Sequence, residues 1–220
     1  SRMPATLTVT IPILILEVML AIPFALAVAY VRGSLTDRAV MICTTVAVSI
    51  SLLVYVILAQ YFFAFRLGWF PVQGWTDSHW TNLTTYAPLP ILVVVMVAMA
   101  PQIRLYRTFF LDEIGHDYVR TARAKGMTEG TILLKHVLRN AMIPILTNVS
   151  VLLPGVFTGS FLIEVFFSIP GLGREILLAV NRGDYPVIQA FAIYLAFLTM
   201  LVNLITDMLY KLVDPRVVLK

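Results

Sequence analysis

Five long apolar runs, separated by short polar stretches, set the pattern of this chain. The runs cover roughly residues 7–31, 39–65, 88–103, 141–167 and 186–210. A helix that crosses a bilayer needs about 20 apolar residues, so the runs predict five membrane spans, the third being the shortest. Pro12 and Pro23 lie in the first run, and Pro90 and Pro101 in the third. Each proline removes a backbone donor, which predicts kinks or interrupted hydrogen bonding, features that membrane helices tolerate. Glu17 stands near the middle of the first run. An acid there is costly and is a functional candidate; the plainer reading is a carboxyl that is protonated or hydrogen-bonded inside the bundle.

One polar stretch is long enough to be an element in its own right, 112–144, DEIGHDYVRTARAKGMTEGTILLKHVLRNAMIP. Tyr118, Val119 and Ala122 recur at helical spacing before Gly126, and Leu134, Val137, Leu138 and Ala141 recur after it. Two amphipathic helices joined at a glycine follow from that periodicity. Two further polar stretches lie between spans. Residues 66–86 hold all three tryptophans, Trp69, Trp75 and Trp80, among turn-forming Gly68, Pro71 and Gly74, as an interfacial loop would. Residues 168–184 open on Pro170-Gly171 and Gly173 and contain a helix too brief to span. Gly155 and Gly159 form a GxxxG pattern, a short and common signal for close helix approach.

Composition narrows the class. Only 13% of residues are charged and the mean hydropathy is +0.89, whereas soluble domains carry roughly 25% charged residues. The chain is therefore expected to be an all-α polytopic membrane protein. The net charge of +4 does not point to nucleic acid. Twelve of the 16 Lys and Arg residues fall in the 32–38 turn, the 104–140 stretch and the tail, leaving Arg2, Arg66, Arg174 and Arg182 for the opposite side. That asymmetry predicts a cytoplasmic hairpin and a cytoplasmic C-terminus. The single cysteine, Cys43, allows no internal disulfide.

Chemistry is sparse. No glycine is followed by lysine, so a GxxxxGK[ST] phosphate loop is missing, as are HExxH, CxxC and GxSxG. His116 and His136 stand twenty residues apart without cysteine or histidine neighbours, which is a poor start for a metal site. His79 reads as a surface residue. The expectation is no enzyme and no cofactor in this chain.

The segment Asp117-Tyr-Val-Arg-Thr-Ala-Arg-Ala-Lys-Gly126, with 136–144 reading HVLRNAMIP, resembles the EAA loop of ABC importer permeases, especially the dipeptide, oligopeptide and nickel branch. The family pattern is Glu-Ala-Ala, three residues, Gly, nine residues, then Ile-x-Leu-Pro. Counted from Gly126, its first part falls on Arg120, Thr121 and Ala122, and its second on His136, Val137, Leu138 and Arg139. Gly126, Ala122 and Leu138 match, while Arg120 replaces the glutamate and Arg139 the proline. Stretches 67–71 (LGWFP), 166–174 (FFSIPGLGR), 184–187 (DYPV) and 214–216 (DPR) are similar to the same branch and follow in its order.

The resemblance implies a six-helix permease here without its first span, and a half-channel for a peptide or related small solute in the bacterial inner membrane. It implies a second homologous permease, two cytoplasmic P-loop ATPase subunits holding ATP and Mg, and an external solute-binding protein. Residues 104–140 would be the coupling hairpin, with 66–86 and 168–185 as external loops. The ATPase-coupling residues would be Tyr118, Arg120, Ala122, Arg123, Lys125, Gly126 and Met127, with Val119 adding apolar contact. Glu17, Glu164 and Asp207 are candidates for the pathway. Two other classes compete: an ion- or proton-coupled secondary transporter or channel using Glu17 and Asp207, and a membrane scaffold with no pathway of its own.

Overall fold

The computed structural model describes the backbone of residues 2–213 and the side chains of residues 2–205. Every regular element among the described residues is helical. Helix α1, Met3–Tyr30, runs as one helix through Pro12 and Pro23. Each proline removes one rung, and the rungs around it keep the helix continuous. Helices α2, Leu35–Ser49, and α3, Leu52–Ala59, come next, and α3 runs on as a π-helical turn over Gln60–Arg66. A short α4, His79–Thr81, precedes α5, Pro88–Ile114. Then come α6, Asp117–Ala124, and α7, Glu129–Thr131, which continues through a π-helical turn, Ile132–Val137, into α8, Leu138–Thr158. Helices α9, Phe161–Phe166, α10, Leu172–Arg182, and α11, Tyr185–Val213, complete the order.

Among the described residues, four helical stretches are long and apolar enough to cross a membrane: Met3–Tyr30, Pro88–Ile114, Glu129–Phe166 and Tyr185–Ile205. They become five if Leu35–Ser49 and Leu52–Arg66 count as one broken span. The second apolar run is thus not one straight helix. At Ile50 the backbone turns extended, with φ −91° and ψ 131°. Hydroxyl groups crowd the turns before the break. Thr44 and Thr45 both donate to the Met41 carbonyl, and Ser49 donates to the Thr45 carbonyl. Hydroxyls bonded back onto helix carbonyls compete with the ladder and bend it.

The chain forms two compact units. One comprises Ser1–Pro12, Val56–Ile91 and Val149–Lys220; the other comprises Ile13–Tyr55 and Leu92–Asn148. In the second unit, Ala21, Ala25, Tyr106, Phe110, Val137, Ala141 and Ile145 are buried. Tyr106 and Phe110 continue the buried stripe of α5 beyond the apolar run at 88–103, and the helix reaches Ile114. In this unit Asp37 accepts two bonds of 2.8 Å from the Arg107 guanidinium and one of 2.9 Å from the Gly33 amide. That clasp holds the 32–38 turn against α5. In the first unit, Val56, Leu89, Ile163, Phe167, Ile169 and Ala179 are buried.

Two expectations from spacing change. Leu134 was expected on the inward face of the hairpin's second helix, but it is exposed while Ile132 and Leu133 are buried. The π-helical turn over Ile132–Val137 inserts a residue into the period and rotates the face. Gly155 and Gly159 do not make a shared helix face either. Gly159 lies past the end of α8 at φ +72°, a left-handed conformation that glycine adopts readily.

Candidate functional site

The polar stretch builds its surface from a short helix with an unambiguous end. Helix α6 stops because Gly126 takes φ +76°. The Gly126 amide donates to the Arg123 carbonyl at 2.9 Å, and the Met127 amide reaches the Ala122 carbonyl at 3.3 Å. This paired pattern is the Schellman cap, which satisfies carbonyls at a helix end. The guanidinium of Arg123 spans the turn and donates two bonds, 2.7 and 3.1 Å, to the Glu129 carboxylate at the start of α7. Both partners are more than 40% exposed, so the pair orders the turn more than it stabilises the chain, contributing roughly 0.2–1 kcal/mol.

The two faces of α6 are distinct. Val119 and Ala122 are buried in the chain's own core, so neither is free to contact a partner. This corrects the apolar contact expected of Val119, and it gives Ala122 a packing role. Arg120, Thr121, Arg123, Ala124, Lys125 and Gly126 are exposed, and Tyr118 and Met127 are half-buried. The Tyr118 hydroxyl donates to Glu113 at 2.6 Å. Burial first, and this bond second, push its pKa up to about 12, so it remains a donor at neutral pH. Arg120 has only a long contact of 3.5 Å to Asp117. The exposed surface of this capped helix is therefore mainly basic, with Asp117 in its first turn.

The three pathway candidates fall in different settings. Glu17 is buried, with the Gln102 side chain as its hydrogen-bond partner. Glu164 is also buried, and its carboxyl group is enclosed by polar donors of the first unit. Thr6 donates to Oε1 at 2.8 Å and the Arg174 amide to Oε2 at 2.8 Å, with the Gly173 amide as a further donor. Thr6 Oγ1 in turn accepts the Leu172 amide at 2.8 Å. Glu164 and Thr6 thus cap the first turn of α10, satisfying amides that the helix itself leaves unpaired. A Cβ added at Gly159 or Gly171 would collide with the Glu164 carboxyl group, and one at Gly173 with the Phe161 backbone. Sequence reasoning missed Thr6 and the purpose of these glycines; the run PGLG, 170–173, after a buried acid was the available signal. The side chain of Asp207 lies outside the described residues.

An all-helical, multi-pass membrane subunit that presents one capped amphipathic helix at its surface is the class these features define. A family model described as binding-protein-dependent transport system inner membrane component matches residues 21–219. The chain belongs to that family, whose members are the membrane permeases of ABC importers rather than their ATPases, and work within multi-subunit assemblies. It is 34% identical over 221 residues to the oligopeptide transport system permease protein AppB of Bacillus subtilis, a match covering 99% of this chain and 70% of that protein. It is 36% identical over 217 residues to the glutathione transport system permease protein GsiC of Salmonella choleraesuis, covering 99% and 69%. A crystal structure of the MetNI methionine ABC transporter in inward-facing conformations shares the fold, with a TM-score of 0.74 at 18% identity over 97% of this chain and 94% of that one.

Proposed function

We propose that this chain forms half of the membrane passage of a peptide-type ABC importer and receives the ATPase stroke through α6. Relatives named for oligopeptide and glutathione transport support the peptide assignment. In this reading the partners are a second permease, two cytoplasmic ATPase subunits and an external solute-binding protein. The basic residues at 32–38 and from Arg120 to Arg139 support a cytoplasmic α6, with residues 66–86 and 168–185 outside. The carrying observation is the two-faced helix. Val119 and Ala122 anchor it from below, while Arg120 and Lys125 are exposed above, beside Arg123, which is exposed but paired with Glu129. A rigid helix held this way moves as one body with α5 and α8, the route by which a push on its outer face reaches the spans.

The test is charge reversal of the exposed face. Arg120→Glu with Lys125→Glu leaves the buried underside and the Arg123–Glu129 pair intact. The double variant is expected to insert and assemble its membrane part, to lose ATPase subunits in detergent pull-down, and to cut uptake at least tenfold, a coupling change of about 1.4 kcal/mol. Full transport by this variant would sink the reading. Reversal at Arg123 combined with a bulky residue at Gly126 is the harsher form of the same experiment.

A further inference from the structure

The break at Ile50–Ser51 lies midway in sequence between Leu35 and Arg66, a helix pair bent by 91° that, counted as one broken span, puts the break within the apolar layer. Ser49, Ile50 and Ser51 are all exposed there. Non-helical backbone at that depth is tolerated where it lines a water-filled cavity or is covered by protein, and not against lipid. The same face carries further polarity. Thr45, one turn before Ser49, accepts a 3.3 Å hydrogen bond from the guanidinium of Arg104 on α5. Arg104 is exposed and takes part in none of the ion pairs among the described residues, which are Arg2–Glu175, Arg107–Asp37, Arg120–Asp117 and Arg123–Glu129. Its neighbour Arg107 is neutralised by Asp37. Among the described residues Arg104 is therefore an exposed guanidinium without a carboxylate partner, reaching Thr45 on a face that carries the hydroxyls of Thr45 and Ser49 beside exposed Ile42 and Val46, and a cation within a spanning helix faces water or a pathway.

We propose that Thr45, Ser49, Ile50 and Ser51, with Arg104, line the aqueous passage, and that Arg104 is the residue that recognises an anionic group on the solute. Resting on the peptide-importer reading, that group is the C-terminal carboxylate of a peptide. A guanidinium is suited to it because its planar fork matches carboxylate geometry. The Thr45 hydroxyl orients the guanidinium by accepting one of its five donors and leaves the others for the solute.

The experiment uses the assembled transporter in proteoliposomes, with Cys43→Ser as background. Ser49→Cys and Ser51→Cys are exposed to membrane-impermeant thiosulfonates, one anionic and one cationic. Both cysteines are expected to react. The anionic-to-cationic rate ratio at Ser49→Cys is expected to fall on the order of tenfold when Arg104→Gln is added, and to hold with Arg104→Lys. Failure of both cysteines to react, or an unchanged ratio in Arg104→Gln, overturns the proposal. Uptake of a tripeptide with a free or an amidated C-terminus completes the test. A binding protein's own preference cancels between wild type and Arg104→Gln, so a preference for the free acid that persists undiminished in the variant overturns the carboxylate assignment. Absence of uptake of either tripeptide, with labelling as expected, counts against the peptide reading alone and still supports Arg104 as the anion-selecting residue of the passage.

Discussion

Thr6→Val is the sharpest perturbation of the Glu164 clasp. Valine has nearly the shape of threonine, so packing at this fully buried position is preserved. Two hydrogen bonds vanish together, the one donated to Glu164 Oε1 and the one accepted from the Leu172 amide, each 2.8 Å. A buried group left unsatisfied costs about 1–3 kcal/mol. The Leu172 amide loses its acceptor outright, whereas Glu164 keeps the Arg174 and Gly173 donors. The expected loss is about 3 kcal/mol, concentrated on the docking of α10. For a chain of this size that corresponds to a fall in Tm on the order of 10 °C. The assay is thermal unfolding in detergent of wild type, Thr6→Val and Thr6→Ser, with hydrogen exchange at the first turn of α10. Thr6→Ser keeps the hydroxyl and is expected to lie close to wild type, and exchange is expected to rise at Leu172 in Thr6→Val alone. A Thr6→Val protein that melts within about 2 °C of wild type, with the Leu172 amide still protected, would refute the claim that this relay holds α10 in place.

Three other outcomes follow from the same geometry. Gly173→Ala places a Cβ 2.7 Å from the Phe161 amide nitrogen; backbone must shift, and a loss of about 1–3 kcal/mol is expected, read by the same melting assay. Asp37→Asn leaves the half-buried Arg107 guanidinium without its carboxylate, with an expected cost of about 1–3 kcal/mol; restoration of wild-type melting by adding Arg107→Met would show that the stranded charge is the cause. Gly126→Val forces a β-branched residue into φ +76° at a cost of about 1–2 kcal/mol. It is expected to fray the end of α6, detectable as faster hydrogen exchange at Met127, while the spans keep their protection.

Much of this architecture is legible in the residues because the bilayer is an exacting solvent. Apolar runs of spanning length, the polar hairpin with its turn at Gly126, and the brief helix after Pro170-Gly171 each follow from local composition or from a conformation that glycine adopts at least cost. The ordered family motifs are equally local. Register and partnership are not. Spacing alone put Leu134 inward, because a period of 3.6 residues is assumed until a π-helical turn shifts it. It made Gly159 half of a helix-packing pair, although that residue ends its helix and makes room for a carboxyl group. Glu164 looked like a pathway acid because a buried charge is visible in sequence while its donors, Thr6 at one end of the chain and the 172–174 amides at the other, are not. The side chain of Arg104 counted only as one more orientation signal. Its freedom is apparent once Asp37 is seen to be taken by Arg107. Composition and periodicity act over a turn or two and so determine which segments span. Which buried polar groups find partners depends on contacts between distant segments, 70 residues apart for Asp37 and Arg107 and 158 for Thr6 and Glu164, and tertiary structure alone decides those.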